Sequence, residues 1–183
     1  RAYAYHSNAR VDLALDAADQ LLAKDPADPY FLELKGQVLL ESGRPHEALD
    51  PLRRATAMTN AEPLIASLFG HALIATEDDG NFEEAERVLR AAVGRDRRNP
   101  FAWYQLGVVY AARGDTARAR LASAEQQVMN RQYGLALRSA QAAEYGLEHG
   151  TPDWIRAQDI GMQARALLER QCEMERGRDC APG

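Results

Sequence analysis

The residues closest to a metal-binding motif stand at positions 46–50, which read His-Glu-Ala-Leu-Asp. A helical zinc site needs two histidines one turn apart on one face, with a glutamate beside the first as general base. Asp50 stands where the second histidine is required, and His6, His71 and His149 have no histidine three or four residues away. No Ser-His-Asp or Cys-His constellation is readable. The sequence therefore predicts a chain that is not itself an enzyme and holds no metal or other cofactor.

The two cysteines, Cys172 and Cys180, offer redox chemistry instead. Seven residues separate them in a polar tail that contains Gly177, and a disulfide could close a loop of that length. An oxidising compartment favours the bridge, whereas a reducing cytosol leaves two free thiols, so the outcome depends on where the protein is located. The pair lacks the further ligands that a zinc site requires.

Charge and hydropathy exclude two classes of partner. The formal net charge is -5 and the pI is about 5.4, whereas a protein that follows a nucleic-acid backbone needs a basic face. Hydrophobic residues make up 46% of the chain, but none of its apolar runs approaches the roughly 18 residues of a membrane helix. We therefore expect no nucleic-acid partner and no transmembrane segment.

Short helices must position any functional side chain, because residues 100–119 follow the spacing of a helical repeat. The spaced residues are Trp103, Leu106, Gly107, Tyr110, Gly114, Asp115 and Ala119. This pattern resembles the tetratricopeptide signature, in which each of two helices presents one apolar stripe. We expect Gly107 to let a neighbouring helix approach closely. Gly114 should end the first helix so that Asp115 can cap the second.

The same unit recurs along the chain. Gly70 follows Gly36 by 34 residues, the tetratricopeptide period, while Gly107 follows Gly70 by 37 because residues 77–79 are inserted between two helices. The predicted repeats are a partial one over 1–28, then 29–62, 63–99, 100–130 and a degenerate one over 131–176, with a tail at 177–183. These predict one all-α domain over 1–183, a right-handed superhelix (α-solenoid) of roughly nine or ten antiparallel helices with an atypical C-terminal capping helix.

Three places depart from the regular repeat. Residues 1–6 read as the end of a helix whose beginning is missing, followed by a second helix, so the chain is expected to be cut from a longer protein. Pro51 should bend its helix or delay the start of that helix. Ser123 replaces the large apolar residue expected four positions after Ala119, although helices are still predicted over 116 to about 129, about 132 to 147, and 152 into the 170s.

A binding groove is the functional site that such a fold offers. Positions on the first helix of each repeat that are not needed for packing should line it, and they are Tyr30, Glu33, Gln37, Leu40, Leu64, Ser67, His71, Ile74, Phe101, Tyr104 and Val108. A clamp for a C-terminal carboxylate uses Lys and Asn at such positions, whereas this set has Glu33 and Gln37. The apolar character indicates a protein or peptide partner, or a segment of the same chain. The alternative is that Phe101 and Tyr104 merely pack between repeats.

Three segments resemble a particular family. Residues 29–37 (PYFLELKGQ), 41–44 (ESGR) and 150–160 (GTPDWIRAQDI) are similar to the C-terminal region of bacterial periplasmic zinc metalloproteases related to the β-barrel assembly-enhancing protease. The resemblance implies a non-catalytic substrate-recognition domain whose parent carries zinc in a separate His-Glu-x-x-His protease domain. Its implied partners are that protease domain and envelope protein clients, and its implied location is the periplasm. The alternative function is a free-standing cytoplasmic adaptor that binds a peptide or protein.

Overall fold

The computed structural model describes the backbone of residues 2–176 and the side chains of residues 10–174. These residues form nine α-helices, one 3-10 helix at Asp79–Asn81 and no strand. The helices are α1 Ala2–Lys24, α2 Pro29–Glu41, α3 Pro45–Met58, α4 Pro63–Ala75, α5 Phe82–Arg95, α6 Pro100–Ala112, α7 Thr116–Met129, α8 Tyr133–Gly146 and α9 Pro152–Arg176. The predicted all-α fold of tetratricopeptide-type helix pairs is confirmed, with α9 as the atypical C-terminal helix.

Local sequence sets the ends of the helices. The first helices α2, α4 and α6 each begin with proline, whose missing N–H costs nothing in the first turn. The predicted cap at Asp115 is present, since its carboxylate accepts a hydrogen bond from the Arg118 amide at 3.0 Å. Gly114 has a φ of 78°, and the Asp115 amide donates to the Tyr110 carbonyl at 2.9 Å. This left-handed C-cap is the reason that glycine is favoured there.

The chain divides into two compact units, Arg1–Arg97 and Arg98–Gly183. In the first unit each helix from α1 to α5 packs on the next, and the first helices α2 and α4 also touch. In the second unit α6 packs on α7, α7 on α8, and α9 on both α7 and α8. The division falls close to the predicted repeat boundary between residues 99 and 100, while the single domain over 1–183 stays a prediction.

Glycine and leucine form the seams of the helix pairs in the first unit. A methyl group added at Gly36 of α2 would lie 2.4 Å from the Leu52 Cγ of α3. The same addition at Gly70 of α4 would lie 2.5 Å from the Leu89 Cγ of α5. Both leucines are fully buried. The missing side chain of each glycine is therefore the space into which the partner helix inserts its leucine.

Ion pairs join α7 to α9 in the second unit. The Arg156 guanidinium donates to both carboxylate oxygens of Glu125, at 2.6 and 3.0 Å, and Glu125 is only 4% exposed. Arg118 donates to Asp153 at 2.8 Å. A bidentate partner compensates the loss of water around a buried carboxylate. Sequence reasoning missed these pairs because each joins residues of different helices, far apart in the chain.

Two predicted helix boundaries are wrong. The helix predicted to end at His6 continues as α1 from Ala2 to Lys24, because the sequence between residues 7 and 13 contains no glycine or proline to stop it. The delayed start offered as one effect of Pro51 is also wrong, since α3 begins at Pro45 and runs through Pro51.

Within the described residues, no helix combines the length and hydrophobicity needed to cross a membrane.

Candidate functional site

In the first unit the predicted groove residues lie on α2 and α4, which touch each other. Tyr30 is 62% exposed and Leu64 is 67% exposed, so each presents a large apolar side chain to solvent. The other positions are mostly half-buried along the same two helices, and these are Glu33, Leu40, His71 and Ile74. The first helices of this unit therefore carry an apolar and partly desolvated surface.

The polar part of this surface is acidic. Burial raises the pKa of Glu33, and the nearby Glu62 carboxylate raises it further. Glu62 is held in place because it caps α4, accepting hydrogen bonds from the amides of Leu64 and Ile65. Gln37 is exposed and donates to Glu41 at 2.8 Å. A ligand carboxylate would meet like charge here, which agrees with the absence of the residues that form a carboxylate clamp.

Two further positions differ in their access to the surface. His71 is half-buried, and this burial lowers the pKa of its imidazole, so the neutral ring is favoured. Ser67 is 1% exposed, and its hydroxyl donates to the Pro63 carbonyl one turn back. The prediction that Ser67 lines the groove is therefore wrong, because a serine hydroxyl that is hydrogen-bonded within its own helix can occupy a buried position.

In the second unit the predicted groove residues lie on α6. Tyr104 is 55% exposed, Phe101 is also exposed, and Val108 is half-buried. Tyr104 and Val108 line a cleft of about 380 Å³ between α6 and α7. More than half of the Tyr104 side chain is thus free of the core of its own unit, a position suited to contact with a partner.

The cleft lies at the seam of this helix pair. Gly107 lines it from α6 and Ser123 lines it from α7. A methyl group added at Gly107 would meet the Ala122 Cβ at 3.5 Å, an ordinary contact distance. The Ser123 hydroxyl donates to the Ala119 carbonyl of its own helix at 2.9 Å. The methyl group added at Gly107 would also lie 3.7 Å from the Ala119 carbonyl oxygen, so α7 lies against Gly107 as predicted, although no leucine fills this seam. Sequence reasoning noted the serine but not the cleft that results from it.

The incomplete zinc motif lies on α3, and the first cysteine of the predicted pair lies on α9. His46 and Asp50 are exposed on α3. No group of three or more histidine, cysteine, aspartate or glutamate side chains in the described part of the chain is arranged to hold a metal ion. Cys172 is half-buried on α9, whereas Cys180 lies outside the described residues. The Cys172–Cys180 bridge and the absence of a cofactor both stay predictions.

Comparisons with known proteins agree with this architecture. A tetratricopeptide repeat family model matches residues 1–63 and 75–131. A crystal structure of MamA is 19% identical, the match covers 92% of this chain and 94% of that one, and the TM-score is 0.63. TTC0263, described as a thermophilic TPR protein in Thermus thermophilus, is 23% identical over 91% of this chain and 94% of its own, with a TM-score of 0.50. No curated protein matches the chain. At these identities the solved structures establish the fold.

Proposed function

The chain belongs to the tetratricopeptide repeat family, and we propose that it is a protein-interaction module that binds a peptide or protein segment through its first helices. The observation that carries this proposal is the exposure of large apolar side chains at first-helix positions. Tyr30, Leu64, Phe101 and Tyr104 all stay exposed. Exposed aromatic and aliphatic anchors of this kind are typical of surfaces that bind proteins.

The chemistry of the surface restricts the partner. The anchors on α2 and α4 call for apolar side chains spaced along an extended or helical segment. Glu33 and Glu62 disfavour a free C-terminal carboxylate at the same place, because a third carboxylate would be repelled by two that already lie close together. The proposed ligand is therefore an internal segment of a protein, with apolar anchors and no terminal carboxylate bound near Glu33.

A finer proposal concerns the parent protein. Residues 29–37, 41–44 and 150–160 resemble periplasmic zinc metalloproteases, which supports a substrate-recognition domain attached to a protease domain in the periplasm. The family match and the solved structures fit a free-standing adaptor equally well. Reading the gene upstream of residue 1 distinguishes the two. A His-Glu-x-x-His motif in the same reading frame supports the protease parent, and a start codon directly upstream of residue 1 overturns it.

The interaction itself is tested by quantitative affinity capture with wild-type chain and two groove variants, Tyr30→Ala and Tyr104→Ala. Tyr145→Ala serves as the matched control, since Tyr145 is 96% exposed on α8 and lies outside the predicted groove. Truncating an aromatic anchor typically costs about 1 to 4 kcal/mol of binding. We expect a partner whose recovery falls roughly ten-fold or more with a groove variant and is unchanged with Tyr145→Ala.

Thermal unfolding of the same variants supplies the second measurement. Exposed tyrosines contribute little to packing, so the melting temperature should stay close to that of the wild type. A lower melting temperature with unchanged capture would assign Tyr104 to the core and contradict the proposal. Equal losses of partner recovery in all three variants would show that exposed tyrosines bind the partner non-specifically and do not form a defined site.

A further inference from the structure

The seam between first and second helices is built in two ways in this chain. At Gly36 and Gly70 a leucine of the second helix occupies the space beside the glycine, with its Cγ 2.4 or 2.5 Å from an added methyl position. The chain itself thus shows which side chain this space accepts. In the third pair Ser123 stands at the position of that leucine, and its hydroxyl turns back to the Ala119 carbonyl of α7.

The result is an unfilled space with suitable walls. The cleft between α6 and α7 measures about 380 Å³, within the range of roughly 300–1,000 Å³ that ligand sites occupy. Trp103, Tyr104 and Val108 line it with apolar surface, while Arg120 adds an exposed cation. Aromatic walls around a concave apolar floor, together with a charged group, are the usual composition of a pocket for an anchoring side chain.

We propose that this cleft is a socket for a leucine side chain of the bound segment, with an acidic residue of that segment placed against Arg120. The proposal rests on the proposed function and names the ligand of one part of the site. The leucine would take the place that Leu52 and Leu89 fill in the first unit. The bound segment would thereby complete a helix seam that the chain leaves open, and the Arg120 guanidinium would pair with the neighbouring carboxylate.

The test uses an array of short synthetic peptides in which one leucine and one aspartate are moved through an alanine and serine background. Matched peptides replace the leucine by alanine or the aspartate by lysine. Affinities of the selected peptides are then measured in solution through Trp103 fluorescence in a Trp154→Phe background, because Trp103 lines the cleft. We expect the leucine-to-alanine change to weaken binding roughly ten-fold or more, and the aspartate-to-lysine change to weaken it less.

The matched protein variants are Ser123→Leu, which fills the socket from within, and Ser123→Ala, which leaves it open. Ser123→Leu should lower peptide affinity roughly ten-fold or more without lowering the melting temperature, and Ser123→Ala should bind like the wild type. If Ser123→Leu is unstable, Gly107→Ala replaces it, because an added methyl there has room and raises the floor of the cleft.

The binding results distinguish the leucine socket from the broader peptide-binding role. Peptides that bind wild type and Ser123→Leu equally, or that bind without a leucine, overturn the socket but leave a peptide-binding module in place. An array on which no peptide binds the wild-type chain overturns the leucine socket, while the broader peptide-binding role is decided by the affinity capture with Tyr30→Ala and Tyr104→Ala.

Discussion

The seams of the first unit and the seam between α6 and α7 share one sequence signature but differ in their packing. Gly36 and Gly70 lie directly beneath the side chains of Leu52 and Leu89, whereas a methyl group added at Gly107 would meet the Ala122 Cβ at an ordinary 3.5 Å. The residue that differs is Ser123 on the second helix. A signature glycine therefore does not by itself determine how a seam is filled; the partner helix must supply the side chain that uses the space.

The two units also differ in how they join successive repeats. In the second unit Arg156 and Glu125 form a bidentate pair between α7 and α9, and the glutamate is almost fully buried. In the first unit the Lys35–Asp19 pair between α2 and α1 and the bidentate Arg53–Glu84 pair between α3 and α5 are both more exposed. Ion pairs thus join different helices in both units, and the second unit alone places a paired carboxylate almost out of contact with water among these pairs.

Removing a seam leucine should produce the largest difference between the two units. Leu89→Ala leaves a cavity beside Gly70 and should lower the free energy of unfolding by about 2 to 5 kcal/mol. Ser123→Ala, the matched change in the open seam, removes one hydroxyl beside an existing cleft. It should change the free energy of unfolding by less than about 0.5 kcal/mol. Urea unfolding followed by circular dichroism measures both. Similar losses in the two variants would contradict the contrast between the seams.

Breaking the buried ion pair should cause the second-largest loss in the free energy of unfolding. Arg156→Ala leaves the Glu125 carboxylate without its bidentate partner, and because Arg156 is partly exposed we expect a loss of about 2 to 3 kcal/mol. Lys35→Ala breaks the more exposed pair and should cost less than about 1 kcal/mol. Tryptophan fluorescence is a suitable probe for Arg156→Ala, since Trp103 and Trp154 both belong to the second unit. A loss no larger than that of Lys35→Ala would show that water compensates Glu125.

Replacing the seam glycine by alanine should change stability in opposite directions in the two seams. Gly70→Ala places a Cβ 2.5 Å from the Leu89 Cγ, and relieving that clash should cost about 1 to 3 kcal/mol. Gly107→Ala meets no such obstacle and should gain up to about 1 kcal/mol from the higher helix propensity of alanine. Melting temperatures of the two variants check the sign. A loss at Gly107 would mean that the α6–α7 seam is tighter than its distances indicate.

Much of the fold could be read from residues that act locally. The helix predicted over 116 to about 129 coincides with α7, because Asp115 caps its start and Gly114 separates it from α6. The pairing of Arg156 with Glu125 could not be read in this way, since it depends on how α9 packs on α7.

Among the groove residues, Ser67 was misplaced because helical spacing does not show how deep a helix lies. α4 is buried around much of its circumference, and a hydroxyl bonded to its own backbone can enter such a core. The cleft beside Ser123 required a further step from residue identity to unfilled volume, which a sequence pattern does not contain.

The smallest expected effect is a pH dependence confined to the groove residues of the first unit. Burial lowers the pKa of His71 below its ordinary value of 6.5, so the unfolded chain binds the proton more readily than the folded one. The stability that the neutral imidazole contributes is complete above pH 6.5 and is lost as the pH falls through that value toward the folded pKa. Glu33 acts in the opposite direction, because its raised pKa favours the folded state at low pH and that contribution is lost as the pH rises through the folded pKa.

Urea unfolding at pH 7 and at pH 5.5 therefore distinguishes the contribution of the His71 imidazole to stability from that of the Glu33 carboxyl. His71→Gln should lose less stability on acidification than the wild type, because the unfolded chain no longer gains a proton there. Glu33→Gln should lose slightly more stability on acidification than the wild type. In the wild type the folded state takes up a proton at Glu33 more readily than the unfolded chain, and the variant lacks this compensation. Tyr104→Ala, in the second unit, is the control and should follow the wild-type pH dependence. If His71→Gln loses as much stability as the wild type, the imidazole is hydrated in the folded chain, and the α4 side of the groove is wetter than its half-buried position implies.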